Sequence, residues 1–250
     1  MKTLIFILLS MVWAQAQIPS DCTQIIVGIS KGWNSSYASL TLYEKKSEKK
    51  SEKKSAHWQV AIKTWQARLG KNGLAWGAGL HPNPQSSAPI KKEGDLRAPA
   101  GIFKIGGAYG YAPEIARLDR LPYRQITEGD LWVEDQKSPY YNQHLILNTS
   151  PKTTWQQQAQ MRQNDHAHSL KLYIGHNDSI LGGKPIPGLG SAIFFHIWRD
   201  DGARATAGCT TMPERALTKL IERIDPDKQP AYVILPQQEY QRLKKSWRLP

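Results

Sequence analysis

Glycine and proline punctuate this chain so regularly that its apolar residues fall into short runs about ten residues apart. Runs of that length bounded by turn formers are strand-sized, so the chain reads as mainly β. Strands are read at Ile25–Ile29 and Ala38–Tyr43, with a turn at Gly32-Trp33-Asn34 between them. Others follow at Trp58–Ile62 and Leu170–Ile174. Gly70-Lys71-Asn72-Gly73 is a turn signal, and Trp76–Pro84 holds too many glycines and prolines for a helix. Helical spacing survives in few places. Leu217, Leu220, Ile221 and Ile224 keep it, which predicts a helix over about Met212–Ile224. Tyr240–Trp247 is a second candidate and Trp155–His168 a third.

Between the second and third strands the tetrapeptide Glu-Lys-Lys-Ser repeats three times over Glu44–Ser55. It has no apolar residue to contribute to a core. It reads as the expanded, solvated tip of a hairpin joining Tyr43 to Trp58, a tolerated insertion. Electrostatic attachment to an anionic envelope is the functional alternative.

One stretch carries chemistry. In Ser191–Trp198, alternation puts Ala192, Phe194, His196 and Trp198 on one strand face and Ile193, Phe195 and Ile197 on the other. Thirteen residues after His196 comes Cys209, one of two cysteines, directly after Gly208. Thr211-Met212-Pro213-Glu214 reads as a capping box with Thr211 as N-cap. On that reading Cys209 lies just ahead of a helix N-terminus, where a thiolate is favoured. An imidazole folding back from the strand completes a pair of nucleophile and base. Backbone N–H groups of Gly208, Cys209 and Thr210 are the candidates to hold a negative tetrahedral oxygen.

These residues resemble the bacterial L,D-transpeptidase catalytic domain family, which cross-links or edits peptidoglycan through a cysteine. The resemblance rests on His196 followed by Thr206-Ala207-Gly208-Cys209, and on Lys92–Phe103 with its Gly94-Asp95 and Pro99-Ala100-Gly101-Ile102-Phe103. Val133-Glu134-Asp135 through Ser138-Pro139-Tyr140-Tyr141-Asn142, and Ile174-Gly175-His176-Asn177, are also similar to family segments. It runs from about Cys22 to Pro236. Ala98 stands where the family usually has threonine, Ala207 where histidine is frequent, and Thr211 where arginine or asparagine is common.

The resemblance implies one domain over 17–250, with β-sandwich-like mixed sheets, a few peripheral helices and the lysine-rich insertion at about 44–55. It implies Cys209 as nucleophile, His196 as base, a peptidoglycan stem peptide as partner, and no cofactor. Around the pair, His176, Thr206, Arg204 and Trp198 are the candidates for substrate contact. Sulfur would attack the third stem residue and expel the terminal D-alanine, and an amine would resolve the thioester. Water in place of the amine makes an L,D-carboxypeptidase or thiol hydrolase.

Other readings stay open at this point. Cys22 and Cys209 could be bridged in an oxidising compartment, leaving a non-catalytic, basic envelope-binding protein. His196 could be a satisfied core histidine. His166 and His168 are spaced like a metal pair but have no third ligand nearby in sequence, so no metal is assigned. The carboxylates Glu134, Asp135, Asp200 and Asp201 show no spacing that demands a glycosidase pair.

The first 16 residues read as an address. Lys2, the apolar run from Leu4 and Ala14-Gln15-Ala16 make a secretory signal peptide cleaved after Ala16, too short for a membrane span. The mature chain is therefore expected in the periplasm or extracytoplasmic envelope, and is read as a monomer. The full sequence has a formal net charge of +12, which becomes +11 in the mature chain with the loss of Lys2. That balance suits an anionic polymer or surface, and export makes nucleic acid the poorest of these partners.

Overall fold

The structure is a computed structural model, described for residues 18–47, 56–82, 87–115, 120–178 and 183–250. The signal-peptide reading and Glu48–Ser55 lie outside the described residues. The strands are β1 (Gln24–Ser30), β2 (Tyr37–Ser47), β3 (Ala56–Arg68), β4 (Leu74–Trp76), β5 (Ala98–Gly110) and β6 (Tyr123–Gln125). After them come β7 (Asp130–Trp132), β8 (His144–Ile146), β9 (Leu170–Gly175), β10 (Phe194–Ile197), β11 (Thr210–Met212) and β12 (Ala231–Pro236). Three α-helices among the described residues are α1 (Thr154–Gln158), α2 (Glu214–Arg223) and α3 (Gln237–Leu243). None is long and apolar enough to cross a membrane.

A mainly β fold with mixed sheets and few helices is what forms. Ten strands make one sheet in the order β12-β1-β2-β3-β11-β10-β9-β5-β4, with β6 beside β5. Because β12 pairs with both β1 and β5, the sheet closes on itself. The apolar runs Ile25-Ile26-Val27 and Ala231–Pro236 explain this closure: both are buried, and they lie parallel in register. Continuous apolar strands of that kind need cover on both faces. The cover comes from Leu217, Leu220 and Ile221 of α2 and Tyr240 and Leu243 of α3, all in the main core. Gly101 sits within it at φ +137°, where a Cβ would come 1.8 Å from a ring carbon of His81. Close packing therefore explains this glycine of the Pro99–Phe103 motif.

Three expectations are corrected. The tetrapeptide repeat is not all loop tip: Glu44–Ser47 continues β2, paired as far as Ser47 opposite Ala56. Glu44 is anchored by Gln24 Nε2 at 2.9 Å, Arg223 at 2.8 and 2.9 Å, and Lys228 Nζ at 3.3 Å. Trp155–His168 holds only α1 and a single 3₁₀ turn, His166–His168.

The third correction bears on the site. Thr210–Met212 is a strand, parallel to β10, with Phe195 opposite Thr210 and His196 opposite Thr211. The helix starts only at Glu214, after Pro213. Thr211 caps nothing; its hydroxyl is buried without a hydrogen-bond partner among the described residues. Two β-branched residues and an apolar one, all buried against β10, fit a strand better than a helix start.

Candidate active site

The alternation read for the histidine strand is observed. Phe195 and Ile197 enter the main core, while Phe194 faces a second cluster of Ile126, Trp132, Met161 and Tyr173. Ala192 and Cys209 pack against that second cluster. Beside it opens a cavity of about 280 Å³ lined by Cys209, Gly208, His196, His168, Lys171 and Glu93, among others. The volume is just below the roughly 300–1,000 Å³ of ordinary ligand sites.

A short turn places the sulfur. Thr206 Oγ1 donates to the Cys209 carbonyl at 2.6 Å and accepts the Gly208 N–H at 3.1 Å. Gly208 cannot grow a side chain freely, since a Cβ would come 3.2 Å from the Arg97 carbonyl. The thiol donates to the Ala192 carbonyl at 3.4 Å, and the Phe194 N–H bonds to the sulfur. Ala192 is itself strained at φ +53°. Asn142 holds it there, its Oδ1 accepting the Ala192 N–H at 3.0 Å. Burial pushes the Cys209 thiol up, opposed by the Phe194 N–H and the positive charge of Lys171.

His196 is buried, with Nδ1 2.8 Å from the Ile197 carbonyl. A carbonyl only accepts, so Nδ1 carries the proton and Nε2 is the basic nitrogen. Burial, reinforced by the neighbouring His168, Lys171 and Arg199, pushes its pKa down to about 3. The imidazole is thus neutral at rest. Its ring stacks on His168, centroids 4.7 Å apart. The Nδ1–H of His168 donates to Asp165 at 2.7 Å, and Asp165 is paired with Arg199. His196→Gln should therefore slow alkylation of Cys209 by a small electrophile at neutral pH by about tenfold to a hundredfold. An unchanged rate in the folded variant would remove His196 from proton transfer.

The other sequence candidates fall in different places. Gly208 lines the cavity, but its N–H is already committed to Thr206 and so is not aimed at a substrate oxygen. Thr210 lies in β11 and turns its hydroxyl to Tyr232, 3.3 Å away. With no helix start behind Cys209, the proposed dipole contribution to the thiolate is absent. Thr206 builds the turn. Trp198 belongs to a separate groove with Asp165, His166 and Arg199, and Arg204 is exposed outside the cavity lining.

His176 is also outside that lining. Its Nδ1 accepts the Ala78 N–H at 3.2 Å and its Nε2–H donates to the Leu189 carbonyl at 2.9 Å. It pins two loops behind the cavity instead of facing it. Asn142 does similar work, donating to the carbonyls of His176 and Asn177.

Both cysteines are free, so the bridged alternative fails. Cys22 is buried in the main core, its thiol pKa pushed up to about 11 by burial. No group of three metal-ligating side chains occurs among the described residues.

Sequence reasoning passed over Lys91, Glu93, Lys171 and the cavity role of His168. Lys171 gave no local signal: in Leu170–Ile174 it alternates with Leu170, Leu172 and Ile174 as a solvent-facing lysine would, and only the tertiary fold buries it. Glu93 accepts hydrogen bonds from Tyr141 and, at 2.7 Å, from Ser191.

Comparison with known proteins gives a family. No curated protein matches the chain. The solved structure of Bdellovibrio bacteriovorus Bd1075 is similar at 13% identity and a TM-score of 0.40, covering 92% of this chain and 57% of that one. This chain thus spans little more than half of that relative's length. The family model for the L,D-transpeptidase catalytic domain, YkuD, matches residues 49–233, well over half of the sequence. The chain belongs to the L,D-transpeptidase catalytic-domain family.

Proposed function

We propose that this protein is an exported cysteine acyltransferase of peptidoglycan stem peptides. The observation that carries the reading is one cavity in which the Cys209 sulfur and a histidine with its Nδ1 fixed by a carbonyl are both lining groups. Sulfur attacks the carbonyl carbon of the third stem residue as His196 Nε2 takes the thiol proton. The tetrahedral intermediate collapses with cleavage of the C–N bond, and the imidazolium returns the proton to the departing D-alanine amine. The thioester on Cys209 is then attacked by an amine of a second stem, whose proton passes to His196. Membership of the family supports peptidoglycan stem peptides as partner, and residues 1–16 support export.

Incubation of the purified protein with tetrapeptide stems, with and without an amine acceptor, tests this. D-Alanine release with a joined product in the acceptor arm is the expected outcome. A tripeptide alone in both arms reassigns the protein as a carboxypeptidase. Release in neither arm from folded protein sinks the stem-peptide reading.

A further inference from the structure

Lys171 lines the cavity, and the reaction above gives it no task. It stands on β9 directly opposite His196 in the β10 register. Only 5% of it is exposed. Its ammonium donates to the Met161 carbonyl at 3.0 Å and lies 5.6 Å from the centre of the Phe194 ring. Among the described residues no carboxylate forms an ion pair with it, whereas Lys91 in the same lining is held by Asp95 at 2.6 Å. A buried ammonium satisfied by one carbonyl is costly. Retaining it makes physical sense if an anion forms within its field.

Besides the carboxylates of Glu93 and Glu134, the cavity lining holds a group that can become such an anion, the Cys209 thiol. The charges of Lys171 and Cys209 each favour the ionised form of the other. Cys209 runs straight into β11 and the next helix starts only at Glu214, so no helix N-terminus directly follows the sulfur. We propose that Lys171 is the counter-ion of the Cys209 thiolate, a positioning residue that lines the same cavity and keeps the sulfur reactive. The proposal rests on the reading of Cys209 as nucleophile.

Other charges face the pair. Lys91 assists the thiolate and Glu134 opposes it. Asp165 and Glu134 favour the Lys171 ammonium and Arg199 opposes it, with Asp165 already shared by Arg199 and His168. His168 and His196, both neutral, complete the surroundings. Burial pushes Lys171 down to about 8, so its support holds below that pH and fades above it.

The test is the pH dependence of Cys209 alkylation by iodoacetamide in the full-length protein, with the labelled site mapped by mass spectrometry. In Lys171→Met the rising limb should move up by about one to three pH units. The rate near neutral pH then falls about tenfold or more, and the two curves converge in alkali. Thermal stability should be unchanged or higher, because an uncompensated buried charge is gone. A folded Lys171→Met protein with the native profile overturns the proposal. If that variant fails to fold, Lys171→Arg must keep the native profile and Lys171→Gln must shift it; the reverse overturns it equally. Alkylation needs no peptidoglycan, so failure here is separable from failure with stem peptides.

Discussion

Cys209→Ser is expected to abolish D-alanine release, by at least about a thousandfold, while leaving the melting temperature within a degree or two. The contrast follows from how the residue is held. The turn that presents it is built by Thr206 bonding the Cys209 carbonyl and the Gly208 N–H, and none of those contacts uses the sulfur. Serine fills nearly the same space and can donate to the Ala192 carbonyl as the thiol does. What it lacks is acidity. A buried hydroxyl beside an imidazole whose pKa lies near 3 has no adequate base. Activity within tenfold of the native protein would place the nucleophile elsewhere.

Acid should unfold this protein early. His81, His176 and His196 are buried and neutral, pushed down to about 4, 4 and 3 chiefly by burial. Geometry gives the same answer. His81 Nδ1 accepts the Ile102 N–H at 3.1 Å and His176 Nδ1 accepts the Ala78 N–H at 3.2 Å, so protonation there breaks a backbone bond. Folded pKa values below the unfolded one of about 6.5 mean that the unfolded chain binds more protons between those limits. Stability is thus complete above about pH 6.5 and lost as pH falls toward 4. Each imidazole removes about 2 kcal/mol by pH 5, a large share of ordinary domain stability. Urea titrations at pH 7.5 and pH 5 should show a much lower midpoint in acid, with close to four protons taken up on unfolding, because His168 is held down to about 4 as well. Equal midpoints would mean that these histidines are not buried neutral.

What could be read from the sequence follows from what is local. Alternation in Ser191–Trp198 identified the face of His196 correctly, because period two is a property of the strand itself. The Thr206–Cys209 turn is equally local, its hydrogen bonds spanning two and three residues, yet sequence reasoning takes Thr206 as a substrate contact and not as the turn's builder. Thr211–Glu214 shows the opposite case. Its spacing satisfies a capping box, but pairing with β10, a partner more than ten residues away in sequence, takes Thr210–Met212 into the sheet. His176 and His196 carry similar local signals at the ends of apolar strands, and only the tertiary arrangement separates a loop pin from a side chain that lines the cavity. The closure of the sheet through β12 and β5 is likewise a long-range pairing that no local pattern announces.

The most direct test of the central claim is to locate the acyl group. Protein mixed with a stem tetrapeptide, quenched in acid and mapped by mass spectrometry should carry the tripeptidyl mass on Cys209, labile to hydroxylamine and absent from Cys209→Ser. D-Alanine release accompanied by an acyl group on any other residue would contradict the account.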